Sequence, residues 1–144
     1  MEKIIIKNPQ ENTKIVELVL QKLANKNSNL VLLIGDLGAG KTTFTSLLAK
    51  SLNTKSQVSS PTFVIQKIYS LDSNQYNFSK IYHLDLYRLG TTEEIIDMGL
   101  LEDMENKNNL YVVEWPEKIF DIVTNYVKVN INTLSDNSRE FVID

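Results

Sequence analysis

The stretch LVLLIGDLGAGKTTF, residues 30–44, constrains the fold more than any other part of this 144-residue chain. Leu30, Val31, Leu32, Leu33 and Ile34 form an unbroken apolar run, without the alternation of a strand that has one wet face. Such a run reads as a strand buried on both sides, which requires helices above and below its sheet. Directly behind it, Gly35, four residues and then Gly40-Lys41-Thr42 fit the pattern G-x-x-x-x-G-K-[ST]. Glycines at these positions let successive backbone N–H groups turn inward around a phosphate, and the following helix adds its positive end. That helix is predicted over 41–52, with Phe44, Leu47, Leu48 and Leu52 at helical spacing. Candidate phosphate-binding residues are therefore Gly35, Asp36, Gly38, Ala39, Gly40, Lys41, Thr42 and Thr43. Lys41 supplies a mobile charge for terminal phosphates, and the Thr42 hydroxyl suits a bridging magnesium ion.

Composition narrows what such a loop can serve. With 42% apolar and 23% charged residues, the chain reads as one globular domain, 1–144. No apolar run approaches a membrane span, and the opening MEKIIIKNPQEN does not read as an address peptide, so a cytoplasmic protein is expected. The absence of cysteine excludes disulfides, thiol catalysis and Cys-based zinc sites, and a single histidine leaves little for a His-rich metal site. Magnesium held by hydroxyl, carboxylate and phosphate oxygens stays available. The net charge of −3 argues against nucleic acid as a direct partner, which usually demands a basic surplus.

Alternation along the chain sets the architecture. A strand is predicted at 3–7, and a helix capped by Asn8 and Pro9 runs to about Ala24, with Ile15, Val16, Leu18, Val19, Leu20 and Leu23 on its apolar face. Pro61 marks a turn, with Thr62 opening a strand that reaches to about residue 71. KIYHLDLYRL, 80–89, is its antiparallel partner. Thr92 is expected to cap a short acidic helix ended by Gly99. NLYVVEW reads as a buried strand stopped by Pro116, and two last strands flank the turn SDNS. The expected fold is a three-layer α/β domain of the phosphate-loop type, its sheet mixed and mainly parallel with antiparallel edge strands.

Two carboxylates complete the candidate chemistry. Asp85 follows the apolar IYHL and Glu114 follows LYVV, each leaving a buried strand where an acid can reach a metal or its water beside Thr42. Which of them touches the metal is open at this level. Pro61 restricts Ser60 and sets the SPTF segment near the terminal phosphate as a candidate ordering element. Trp115 suits a nucleotide, a partner or the core equally, His83 reads first as a structural histidine, and Arg88 is the one arginine beside a motif.

GDLGAGKTTF, SPTF at 60–63, HLDLYRL at 83–89 and VEWPE at 113–117 resemble, in order and separation, the signatures of the TsaE family. That resemblance covers essentially the whole chain. It implies an ATPase required for threonylcarbamoyladenosine formation on tRNA, docking on TsaD-like and TsaB-like subunits, with tRNA met only through the complex. It further implies that Gly38, Gly40, Lys41, Thr42 and Thr43 hold ATP, that Thr42 and Glu114 bind Mg2+, and that Asp85 acts near the metal or the attacking water. Lys41, Asp85 and Glu114 are then the catalytic candidates. Two competing functions fit less well. A small-molecule kinase generally closes an arginine-bearing lid, and this chain has two arginines. A GTP switch would need a guanine-reading aspartate that NKNN, 106–109, lacks.

Overall fold

The LVLLI run is the centre of the sheet. In the computed structural model, which describes residues 1–8, 12–62 and 64–144, seven strands form one sheet. They are β1 (Glu2–Ile6), β2 (Leu30–Ile34), β3 (Gln66–Ser70), β4 (Lys80–Asp85), β5 (Asn109–Glu114), β6 (Val127–Thr133) and β7 (Arg139–Ile143). Helices α1 (Asn12–Lys26), α2 (Lys41–Ser51), α3 (Thr92–Asp97) and α4 (Leu100–Asp103) surround it, and a 3-10 turn spans Pro116–Ile119. The strand order is β1-β7-β6-β2-β5-β4-β3.

Pairing is parallel through β6, β2, β5 and β4, and antiparallel at β1–β7, β7–β6 and β3–β4. The expected mixed sheet with antiparallel edges is therefore present. Alternate residues of β2 face different layers, as the period of a strand requires. Val31 and Leu33 pack with Phe44, Leu48 and Ile15 of α1 and α2, whereas Leu30 and Leu32 pack with Ile95, Leu100 and Ile119 on the opposite face. That is the three-layer arrangement.

The boundaries moved where side-chain or turn hydrogen bonds took backbone groups from the ladder. The strand expected at 80–89 ends at Asp85, because Asp85 Oδ1 accepts a hydrogen bond from the Tyr87 N–H at 3.0 Å and the chain turns, with Leu89 N–H bonded to the Leu86 carbonyl. The strand expected from Thr62 begins only at Gln66, since the N–H groups of Val64 and Ile65 both bond the Pro61 carbonyl and close a turn. Thr91, not Thr92, caps α3: its hydroxyl accepts from the Glu94 N–H at 3.2 Å, while Thr92 is the first helical residue. The strand at 109 ends at Glu114, one residue earlier than Pro116 required, with Trp115 in the left-handed region at φ 53°. Helix α1 is described over Asn12–Lys26 and ends two residues beyond the expected Ala24; the expected start at Pro9, like Phe63, lies outside the described residues. The short helix α4, which has one buried residue, Leu100, carried no periodicity to announce it.

Candidate functional site

The site stands at the C-terminal ends of the parallel strands, where open α/β sheets place their ligands. Gly35 leaves β2 under constraint: a Cβ there would lie 2.9 Å from the Ile131 carbonyl of β6, so only glycine allows the loop to start against its neighbour strand. The loop then turns through a hydrogen bond from the Ala39 N–H to the Asp36 carbonyl at 3.0 Å, and Gly40 enters α2 at φ 109°. No side chain caps α2. Its first-turn N–H groups are thus left for an acceptor from outside the helix, and the helix dipole favours an anionic one.

Above the loop opens a cleft of about 230 Å³, lined by Leu37, Gly38, Gly40, Lys41, Thr42, Thr43, Ser60, Thr62, Glu114 and Trp115. Lys41 is largely buried, donates from Nζ to the Gly35 carbonyl at 2.5 Å and stands 4.4 Å from the centre of the Trp115 ring. Trp115 therefore belongs to the cleft, its ring also meeting exposed Tyr87 at 5.1 Å. Ser60 and Thr62 join it from across the cleft, their hydroxyls 2.6 Å apart.

Asp85 and Glu114 are register partners on β4 and β5, and Glu114 also faces Leu33 of β2. Both carboxylates are buried, 3% exposed each. They are not equivalent, since Glu114 lines the cleft and Asp85 lies beside it with one oxygen held by the backbone. His83, fully buried, brings Nε2 to 2.5 Å from Glu114 Oε2, and its Nδ1 has no hydrogen-bond partner among the described residues. The histidine expected to be structural is thus bonded to a candidate site carboxylate.

Of the eight loop candidates, Gly38, Gly40, Lys41, Thr42 and Thr43 line the cleft directly. Gly35 and Asp36 shape the loop beneath it, and Ala39 points its small buried side chain elsewhere. Arg88 is not the sole arginine near a motif. Arg139, from β7, donates its Nε–H to the Ala39 carbonyl at 3.0 Å and its Nη1 to the Asn137 carbonyl at 2.8 Å. Nothing in the spacing signalled this contact, because 100 residues separate its partners.

The cleft offers oxygen ligands: Thr42, which carries a hydroxyl, and Glu114, which carries a carboxylate, both line it. Among the described residues no cluster of three metal-binding His, Cys, Asp or Glu side chains exists. This donor set suits a hard cation that keeps most of its shell for water and phosphate, as magnesium does, better than a caged zinc or calcium.

Residues 6–141 match the family model "Threonylcarbamoyl adenosine biosynthesis protein TsaE". Proteins named tRNA threonylcarbamoyladenosine biosynthesis protein TsaE are similar over most of the chain. The one from Rickettsia felis is 38% identical, covering 94% of this chain and 75% of its own. That from Aquifex aeolicus is 35% identical, covering 97% and 93%. Among solved structures, Bacillus subtilis YdiB superposes with a TM-score of 0.70 at 28% identity, over 99% of this chain and 83% of that one. The chain belongs to the TsaE family, whose members serve threonylcarbamoyladenosine biosynthesis on tRNA.

Proposed function

We propose that this protein binds ATP with Mg2+ and hydrolyses it, slowly when alone, to support repeated turnover of a TsaB–TsaD-type complex that modifies tRNA. The observation that carries the reading is the meeting, in one cleft, of Lys41, Glu114 and the uncapped N-terminus of α2. Loop amides and Lys41 would cradle the phosphates. Thr42 and Glu114 would hold magnesium, which when bound neutralises charge building on the phosphate oxygens. Asp85, beside Glu114 in register, would orient water toward the terminal phosphate. Neither acid has to be a strong base, because phosphoryl transfer is accelerated mainly by positioning and charge stabilisation.

Slow isolated turnover follows from the shortage of cations. Arg139 is engaged with loop carbonyls, so within the cleft wall Lys41 is the cationic residue among those described. A partner is then the natural source of the missing stabilisation. The test measures ATP turnover by the purified protein alone and with TsaB-like and TsaD-like subunits, with and without magnesium. Stimulation by the partners and loss of turnover in Lys41→Ala support the proposal; equal ATP affinity and hydrolysis in Lys41→Ala would overturn it.

A further inference from the structure

The cleft has two walls drawn from distant parts of the chain, and a run of buried side chains joins them from behind. Glu114 ends β5 on one side, and Ser60 and Thr62 stand on the other. Glu114 Oε2 lies 2.5 Å from Nε2 of His83 on β4. The His83 ring lies against Tyr69 of β3, with centroids 6.4 Å apart and planes tilted by 43°. Tyr69 then closes on Ser59: its hydroxyl donates to the Ser59 carbonyl at 3.0 Å and accepts from the Ser59 N–H at 3.2 Å. The next residue is Ser60 itself.

Sheet register explains why these three side chains meet. Tyr69 pairs with Ile81, and Glu114 pairs with Asp85. His83 stands two residues from each of those partners on β4, so Tyr69, His83 and Glu114 share one face and are diagonal neighbours across three adjacent strands. Aromatic and long side chains span that spacing. His83 is fully buried, and its Nδ1 has no hydrogen-bond partner among the described residues. An imidazole that only filled the core would do better with both nitrogens bonded, or as an apolar side chain of the same volume. Tyr69, 5% exposed, binds main chain with donor and acceptor alike, so it grips Ser59 whatever side chain stands there. Ile65 holds the far end of the segment. Its N–H bonds the Pro61 carbonyl at 2.9 Å and its carbonyl takes the Asp85 N–H at 2.8 Å, at φ 67°, which a β-branched residue adopts only under constraint.

We propose that Tyr69 and His83 are positioning residues, a buried brace that fixes the separation of Glu114 from the Ser60–Thr62 wall and makes magnesium and the terminal phosphate bind as a unit. The proposal rests on the reading of the cleft as a site for magnesium and a nucleoside triphosphate. A cation between Glu114 and a phosphate held at the opposite wall is gripped only while both walls keep their spacing, and small misplacements at such sites are amplified. Tyr69 does not line the cleft, so its effect on magnesium has to pass through the brace.

The experiment follows emission from Trp115, the single tryptophan and a cleft residue, while magnesium is titrated into protein saturated with a non-hydrolysable ATP analogue or with ADP. The proteins are wild type, Tyr69→Phe, His83→Leu, His83→Gln and the double variant Tyr69→Phe with His83→Leu, each with a melting curve. With the analogue, Tyr69→Phe is expected to raise the half-saturating magnesium about threefold and His83→Leu about tenfold. With ADP, which sends no terminal phosphate to the opposite wall, the Tyr69→Phe shift should vanish and the His83→Leu shift persist. The double variant should exceed His83→Leu by much less than the Tyr69→Phe factor, since one brace is broken only once. His83→Gln, whose amide nitrogen reaches about as far as Nε2, should restore most of the affinity. An unshifted magnesium requirement in Tyr69→Phe, the same shift with ADP as with the analogue, single effects that multiply in the double variant, or a His83→Gln no better than His83→Leu overturns the brace. If His83→Leu does not fold, Tyr69→Phe with the two nucleotides still decides. A wild type whose emission shows no magnesium-dependent response to either nucleotide overturns the reading of the cleft, and the brace with it.

Discussion

Glu114 is the residue on which most of the local arrangement converges. It ends β5, faces the cleft, and is held from behind by His83 at 2.5 Å. A side chain fixed in this way keeps one oxygen toward the cleft at little entropic cost when a cation arrives. Glu114→Gln is expected to raise the magnesium concentration needed for half-maximal hydrolysis, since an amide oxygen lacks the charge that offsets the cation. Asp85→Asn should slow turnover with ATP affinity little changed. A magnesium requirement that shifts for Asp85 and not for Glu114 would reverse the two roles. Lys41 has its own signature. Its ammonium now shares the Gly35 carbonyl and the Trp115 ring, and a phosphate would draw it away from both. Trp115 is the single tryptophan, so its emission should change on ATP addition in wild type and stay flat in Lys41→Ala.

The elements are held to their positions by features that can be removed one at a time. Gly35→Ala forces a methyl to 2.9 Å from a backbone oxygen that cannot swing aside, and is expected to lower stability by about 1–3 kcal/mol, read as a drop in melting temperature. On the opposite face, Tyr111 of β5 is 1% exposed, stacks on Tyr82 at 4.8 Å and donates its hydroxyl to the Asp103 carbonyl at 2.9 Å. Burial, with the neighbouring Tyr82 and Asp103 adding to it, pushes its pKa up to about 12 from 10.0. Between those values the folded state keeps a proton that the unfolded chain has released, so stability is lost as pH rises through that window. Tyr111→Phe should cost about 1 kcal/mol at neutral pH. The gap between variant and wild type should narrow above pH 10, checked by urea midpoints across pH.

At the scale of the whole molecule, one seven-stranded sheet carries the candidate cleft, and the chain has a net charge of −3. The charge of −3 makes direct tRNA binding unfavourable, so RNA should associate with the assembled partners and not with this chain alone. The Ser60–Thr62 segment stands across the cleft from the loop and precedes a turn, which makes it the element a terminal phosphate would order. Association with TsaB-like and TsaD-like subunits is therefore expected to be stronger with ATP than with ADP or no nucleotide, because a ligand moves an equilibrium only by differential affinity. A pull-down with the three conditions reads this, and indifference to nucleotide would discard the switch. ATP with magnesium at about one hundred times its dissociation constant should also add about 2.7 kcal/mol to folding stability, an increment that Lys41→Ala forfeits.

The chain order of short-range features was legible without coordinates. LVLLI with the glycines behind it specified a buried strand and the loop, because apolar period and backbone freedom are local properties. The ends of β2 and the start of α2 followed directly. Asp85 and Glu114 were readable as acids leaving strands, but their difference was not: which one faces the cleft depends on the Tyr87 N–H that holds Asp85. Strand length was misjudged where the ladder lost backbone groups to other partners, to the Asp85 carboxylate at one strand end and to the Pro61 backbone carbonyl of a turn at another. The His83–Glu114 bond, Lys41 against Trp115 and Arg139 on Ala39 join residues 31 to 100 positions apart. Only the sheet order brings these together, since a strand's neighbours are chosen by packing over the whole core and not by proximity along the chain.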